Sequence, residues 1–355
     1  MSHVESNDPA DQTLLYCEKP EWQDVTPIPQ YDGVNPIAPI FYTPEYKDAT
    51  EYFRAVVEKD EISERVLQLT LDIIQMNPAH YSAWQYRYRT IIALKRPLEA
   101  ELTLMDVLAI QFLKTYQVWH HRRLVLTALY ESSTSDSASS PSSNAAGAAA
   151  AAKELAFITR ALETDTKNYH TWSYRQWLLA FFDDEALWEG ELPYVERLLE
   201  ADVRNNSAWH HRFFVVFGRV RAKGEVDLEE VLKRELSYTK DQIAFAPNNP
   251  SAWNYLRGIL ERNKKPYSDL QTFVEPYTVP ASSSTDEGIV DLDNPRPGPG
   301  AQLPCVAALE FLADIHEKAG GEQTKQAIEI WKSLANEHDT MRKKYWEFRV
   351  KEASA

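Results

Sequence analysis

Cysteine is nearly missing from this chain. Only Cys17 and Cys305 occur in 355 residues, far apart, so neither a disulfide framework nor a paired-cysteine metal site is expected. No run of about 18 apolar residues is present, which excludes a membrane-spanning helix from the reading. The opening stretch MSHVESNDPADQ is acidic and polar, where a secretory signal needs a basic region followed by an apolar one. A soluble, cytoplasmic protein in reducing surroundings is the expectation. Positive charge is also short: 38 Lys and Arg stand against 53 Asp and Glu, a net charge of −15. Binding to a nucleic-acid backbone rests on clustered Lys and Arg, so nucleic acid is excluded as a general partner.

What is present is a repeated string. It reads YSAWQYR at Tyr81, YQVWHHR at Tyr116, YHTWSYR at Tyr169, NSAWHHR at Asn206 and PSAWNYLR at Pro250. Subtracting neighbouring positions among Trp84, Trp119, Trp172, Trp209 and Trp253 gives spacings of 35, 53, 37 and 44. The long gap holds a Ser/Ala insertion from Ser132, and without it the period is about 35, as in helix-turn-helix repeats. Hydrophobic content of 44 % and Leu- and Ala-rich periodic stretches favour helix over strand, so the fold class is all-α, a run of repeated helical hairpins.

Ten residues before each Trp stand Ile74, Ala109, Leu162, Leu199 and Ile243, and seven after it Ile91, Leu126, Leu179, Val216 and Leu260. Seven residues are about two helical turns, so each Trp and its follower share one apolar stripe. Four before each Trp are His80, Thr115, Asn168, Asn205 and Asn249, of which the Asn and Thr are good N-caps. Residues 1–20 read as a disordered polar tail, and 21–47 as an extended Pro-rich segment. Residues 48–355 read as one helical-repeat domain, with a low-complexity loop at 131–151 and an irregular loop near 268–303. A helix break is expected near Lys59 and Asp60. YWEFR at Tyr345 echoes the repeat at Trp346 and Arg349.

Arg87, Arg122, Arg175 and Arg212 each follow a Trp by three residues. Because the pair recurs in every one of these copies, it reads as architecture rather than as a site. The pairs His120–His121 and His210–His211 diverge by about 100° on a helix and carry no carboxylate or thiol at i+4, so they read as packing or interface histidines and no metal is expected. The variable columns carry more information. Five before each Trp are Ala79, Lys114, Lys167, Arg204 and Asn248, and three before are Tyr81, Tyr116, Tyr169, Asn206 and Pro250. Basic and phenolic groups thus gather in copies two to four, on a row of helix N-termini that already favours anions. A phosphate or diphosphate is the natural ligand there, and turn cations that are merely solvated are the alternative.

The strings KTYQVWHHRR, KNYHTWSYRQW, DVRNNSAWHHRFF and NNPSAWNYLRGIL, with WQDVTPIPQYDG and EYFRAV, resemble the shared α subunit of protein farnesyltransferase and type I geranylgeranyltransferase, from about Glu21 to Lys351. The resemblance implies a right-handed superhelical crescent of hairpins wrapped around a β subunit. The heterodimer would transfer a farnesyl or geranylgeranyl group to the cysteine of a C-terminal CaaX sequence, as in small GTPases. Zinc, and magnesium where it assists, would sit on the β subunit, and no cofactor on this chain. By motif, Lys114 and Tyr169 match residues that contact the prenyl diphosphate, and Asn168, His170 and Tyr116 line the same pocket. Gln117 matches the glutamine bound to the substrate's terminal carboxylate, and Tyr81 faces the peptide. Thr115 departs from the family's asparagine. Lys167 and Arg204 are secondary candidates for steering the diphosphate. A Rab geranylgeranyltransferase α subunit and a tetratricopeptide-like scaffold are the alternatives.

Overall fold

The computed structural model describes residues 14–31, 33–135, 141–218, 228–280 and 291–354. No strand occurs among them. The helices are α1 Pro44–Glu58, α2 Glu64–Met76, α3 Tyr81–Ala93, α4 Leu98–Gln111, α5 Tyr116–Ser135, α6 Pro141–Thr164 and α7 Tyr169–Phe182. They continue with α8 Glu185–Ala201, α9 Asn206–Gly218, α10 Leu228–Phe245, α11 Pro250–Asn263, α12 Val306–Ala319, α13 Glu322–Ser333 and α14 Lys343–Ala353. Instead of the single domain expected, the contacts divide the chain into two compact units, Met1–Phe182 and Asp183–Ala355. In a repeat array each hairpin contacts only its neighbours, so a cut between hairpins severs few contacts.

The hairpins are α2 with α3, α4 with α5 and α6 with α7 in the first unit, and α8 with α9 and α10 with α11 in the second. Every residue of the three apolar columns is buried, the five tryptophans and the positions ten before and seven after them alike. Each tryptophan also does something the apolar stripe does not explain. Its indole N–H donates to the carbonyl six residues earlier, from Trp84 to Pro78, Trp119 to Leu113, Trp172 to Thr166, Trp209 to Val203 and Trp253 to Pro247, at 2.8 to 2.9 Å. In the same turn, the N–H four before the Trp donates to the carbonyl seven before it in all five copies, at 2.9 to 3.1 Å. A buried indole with its polar end satisfied thus pins the loop that leads into its own helix. The asparagine caps agree with the sequence: Asn168 Oδ1 accepts from Thr171 N–H at 3.0 Å, Asn205 from Ser207 at 3.1 Å and Asn249 from Ser251 at 3.2 Å. His80 does the same through Nδ1, from Ala83 N–H at 3.1 Å.

The recurring arginines are buried, and each of Arg87, Arg122 and Arg212 forks onto a buried glutamate of the next hairpin's first helix. Arg87 binds Glu101 at 2.8 and 2.7 Å, Arg212 binds Glu235 at 2.8 and 3.0 Å, and Arg122 Nη2 binds Glu154 at 2.8 Å. The residue two after the following Trp completes each set: His121 Nε2 lies 2.8 Å from Glu101, and the hydroxyls of Tyr174 and Tyr255 donate to Glu154 and Glu235 at 2.7 Å. His211 Nε2 reaches Glu191 at 2.7 Å in the same way. Buried charges paired and hydrogen-bonded like this are tolerated where single ones are not. The architectural reading of the arginines and of His121 and His211 therefore has its physical reason.

Three expected boundaries move. The polar tail stops short of residue 20, because Tyr16 is buried, packing edge-on against Trp22 at 5.2 Å and donating its hydroxyl to Asp72 at 2.6 Å; residues 1–13 lie outside the described residues. Helix α1 begins at Pro44, four residues before the expected 48, since proline suits the first helical position and Thr43 Oγ1 caps Tyr46 N–H at 3.3 Å. The loop expected at 131–151 is largely helix: α5 runs to Ser135 and α6 starts at Pro141, with 136–140 outside the described residues. Alanine is the strongest helix former, and the run after Asn144 extends α6 backward from its core-facing residues. Tyr130 of α5 packs on Phe181 and Phe182 at 5.5 and 5.1 Å, tying the end of α5 to α7. The break near Lys59 and Asp60 is where α1 ends.

In the second unit, short helical turns span 267–277 and the chain is irregular from 291 to 303. The late echo of the repeat is real in structure. Trp346 is buried, its indole donates to Asp339 Oδ2 at 3.0 Å, and Arg349 reaches Glu317 at 2.7 Å and Asp314 at 3.3 Å.

Candidate functional site

Each hairpin turn in the first unit delivers a helix N-terminus, and the side chains just ahead of the pinned tryptophans stand outward from it. The buried Trp119 and Trp172 fix α5 and α7, whereas Tyr116 and Tyr169, three residues earlier, are 64 % and 76 % exposed. Burial of large aromatics such as these is favourable wherever a partner surface is available.

The first turns of α5 and α7 meet through rings. Tyr116 stacks on His120 one turn along at 6.2 Å and 11°, and lies edge-on to His170 at 6.1 Å. His170 in turn meets Tyr169 edge-on at 5.6 Å. Lys114, at the end of the turn before α5, has an 84 % exposed side chain whose Nζ stands 3.9 Å from Asp165 Oδ2 in the turn before α7. Asp165 accepts the N–H of Lys167 at 3.2 Å and the side-chain amide of Asn168 at 3.4 Å. One patch therefore holds Lys114, Tyr116, Lys167, Asn168, Tyr169 and His170, with Gln117 next to Tyr116 in the first turn of α5. Asn168 is buried as the cap and contributes by aiming α7.

Two predicted residues stand apart. Tyr81, 71 % exposed, opens α3 on the preceding hairpin, and no ring contact or ion pair among the described residues joins it to this patch. Arg204 belongs to the second unit, exposed before α9, with its N–H donating to Asp202 Oδ1 at 3.0 Å. Sequence reading took His120 for a packing or interface histidine, and missed Asp165 and the buried glutamates. The glutamates had a signal: Glu101, Glu154, Glu191 and Glu235 all stand 18 residues before a repeat Trp.

Electrostatics separate the patch from the core. Burial raises the carboxyl of Glu101, but hydrogen bonds from His121 and Arg87 outweigh it and hold it at about 2. Burial pushes the His121 imidazole down and keeps it neutral. Burial and the neighbouring Glu154 push the Tyr174 hydroxyl well up. These groups are locked into the fold. The charges available to a ligand are those of the exposed edge, Lys114 foremost. The described residues contain no group of three or more His, Cys, Asp or Glu poised around a metal.

The repeated hairpins, with a cationic and phenolic edge at their helix N-termini, define a helical-repeat protein. The family model for the protein prenyltransferase alpha subunit repeat matches residues 63–94, 98–129, 151–182, 188–218 and 232–263, which are the five hairpins. The chain is 38 % identical to the protein farnesyltransferase/geranylgeranyltransferase type-1 subunit alpha of Schizosaccharomyces pombe, over 96 % of this chain and 97 % of that one. It is 36 % identical to the same subunit of Solanum lycopersicum, over 95 % and 90 %. Among solved structures it resembles protein geranylgeranyltransferase-I of Candida albicans complexed with GGPP, with a TM-score of 0.72, 29 % identity and coverage of 93 % and 97 %. The chain belongs to the family of protein farnesyltransferase/geranylgeranyltransferase type-1 alpha subunits. The Rab-type and scaffold alternatives give way to that membership.

Proposed function

We propose that this chain works with a β subunit as a CaaX protein prenyltransferase, and that the edge formed by Lys114, Tyr116, Tyr169 and His170 receives the prenyl diphosphate. The observation that carries this is the meeting of one exposed ammonium and two exposed phenols on adjacent helix N-termini, while the buried Arg87, Arg122 and Arg212 are paired with buried glutamates. In the transfer, a cysteine thiolate of the acceptor forms a bond to C1 of the prenyl chain while the C1–O bond breaks and diphosphate departs. Negative charge grows on the leaving oxygens, and Lys114 with the Tyr169 hydroxyl would stabilise it electrostatically. The N-termini of α5 and α7 add partial positive charge. Lys167 and Arg204 are secondary candidates for steering the anion.

The acceptor's terminal carboxylate is assigned to Gln117, whose amide N–H donates to it, and Tyr81 to the flank of the peptide. CaaX proteins such as small GTPases are the substrates. The zinc, and magnesium where it assists, is assigned to the β subunit. Both cysteines of this chain are free, Cys17 exposed and Cys305 buried, which fits a cytoplasmic setting. No helix among the described residues is long and apolar enough to cross a membrane. Co-expression with each candidate β chain, followed by transfer assays with farnesyl and geranylgeranyl diphosphate, tests the proposal. A stable complex that transfers at least one group is expected. Transfer by this chain alone, or failure to bind any β chain, would overturn it.

A further inference from the structure

We infer that Asp165 competes with the diphosphate for the ammonium of Lys114, and so loosens the hold of the site on substrate and on pyrophosphate product; this rests on the diphosphate reading of Lys114 given above. Lys114 Nζ stands 3.9 Å from Asp165 Oδ2. That is beyond hydrogen-bond length, so the carboxylate does not orient the ammonium, but it is well within reach of a Coulomb interaction. The two partners differ in freedom. Asp165 is fixed by the N–H of Lys167 and the amide of Asn168, the residue that caps α7. Lys114 has a flexible stem with an 84 % exposed side chain. The lysine can therefore turn to an arriving anion, while the carboxylate stays and repels it.

Such an arrangement trades affinity for release. An anion held only by Lys114, Tyr169 and helix N-termini would leave slowly, and in many enzymes product release sets turnover. A resident carboxylate next to the same lysine offers it an alternative partner as pyrophosphate departs.

The test is a double-mutant cycle in the heterodimer, reading inhibition by inorganic pyrophosphate. Asp165→Asn keeps the acceptor that the turn needs, since asparagine makes the same local bonds, and removes the charge. Its inhibition constant should fall by about 1.5- to 5-fold, the range of an exposed ion pair, and the gain should shrink as salt rises. Asp165→Ser, whose hydroxyl can take over the turn bond, should show the same gain. In a Lys114→Ala background the gain should drop to the small direct repulsion between carboxylate and pyrophosphate. Equal gains in both backgrounds, or no gain in either neutral variant while Lys114→Ala weakens inhibition, would overturn the competition and leave the diphosphate reading intact. Unchanged inhibition in Lys114→Ala would remove both.

Discussion

Replacing Glu101 by Gln perturbs the fold at one of its shared buried charges. Three donors converge on this carboxylate: Arg87 Nε at 2.8 Å, Arg87 Nη2 at 2.7 Å and His121 Nε2 at 2.8 Å. Burial opposes ionisation, yet those hydrogen bonds hold the group at about 2 against an ordinary 4.5. The ionised form is therefore favoured on folding by about 3 kcal/mol. Gln keeps the shape and imitates the protonated acid, so Glu101→Gln should cost about that much. In a unit of this size 1 kcal/mol moves the melting temperature by about 2–4 °C, giving a drop of about 6–12 °C by calorimetry of the heterodimer at pH 7. Because the folded value is depressed, the stabilisation is complete above about pH 4.5 and is lost as pH falls toward 2, so the two proteins should converge in that window. The neutral His121 adds a separate loss: its folded value lies below the ordinary 6.5, so protonation of the unfolded chain drains stability as pH drops under that point. A variant melting within a degree of the parent at pH 7 would refute the idea that the Arg–Glu–His set holds hairpin to hairpin.

Trp119→Phe removes the indole donor to the Leu113 carbonyl beside Lys114, and should cost about 2 kcal/mol, seen as a lower denaturant midpoint at unchanged slope. Tyr169→Phe keeps the ring and its edge contact with His170 but loses the hydroxyl, so single-turnover transfer should slow by about 2- to 10-fold. The −15 charge of the chain should steer CaaX proteins with basic residues near the motif; stopped-flow association should slow with added salt, and a flat dependence would remove that idea.

The hairpins were legible because their signal is periodic. Trp, the apolar residues at −10 and +7, and Arg at +3 recur where a helix needs them, and every apolar column proved buried. The indole-to-carbonyl bond was not legible, since its acceptor is backbone and carries no side-chain signature. The buried glutamates recur 18 residues before the Trp, outside the string that drew the eye. At the candidate site, Lys114, Tyr116 and Tyr169 could be found as deviations from the repeat. Asp165 could not, because its column reads Asn77, Phe112, Asp165, Asp202 and Ala246, with no pattern until the turn folds it toward Lys114. The Ser/Ala insertion misled for an opposite reason: low complexity suggested a loop, but alanine beside a packed helix prolongs it.

Lys114→Ala in the assembled heterodimer tests the central claim most directly. Losing one charge-assisted hydrogen bond to the departing diphosphate, worth about 1.5–3 kcal/mol, should lower the single-turnover transfer rate by about 10- to 100-fold, with the melting temperature unchanged because the side chain lies in solvent. An unaltered transfer rate in a complex that assembles and melts normally would contradict the assignment of the diphosphate to this edge.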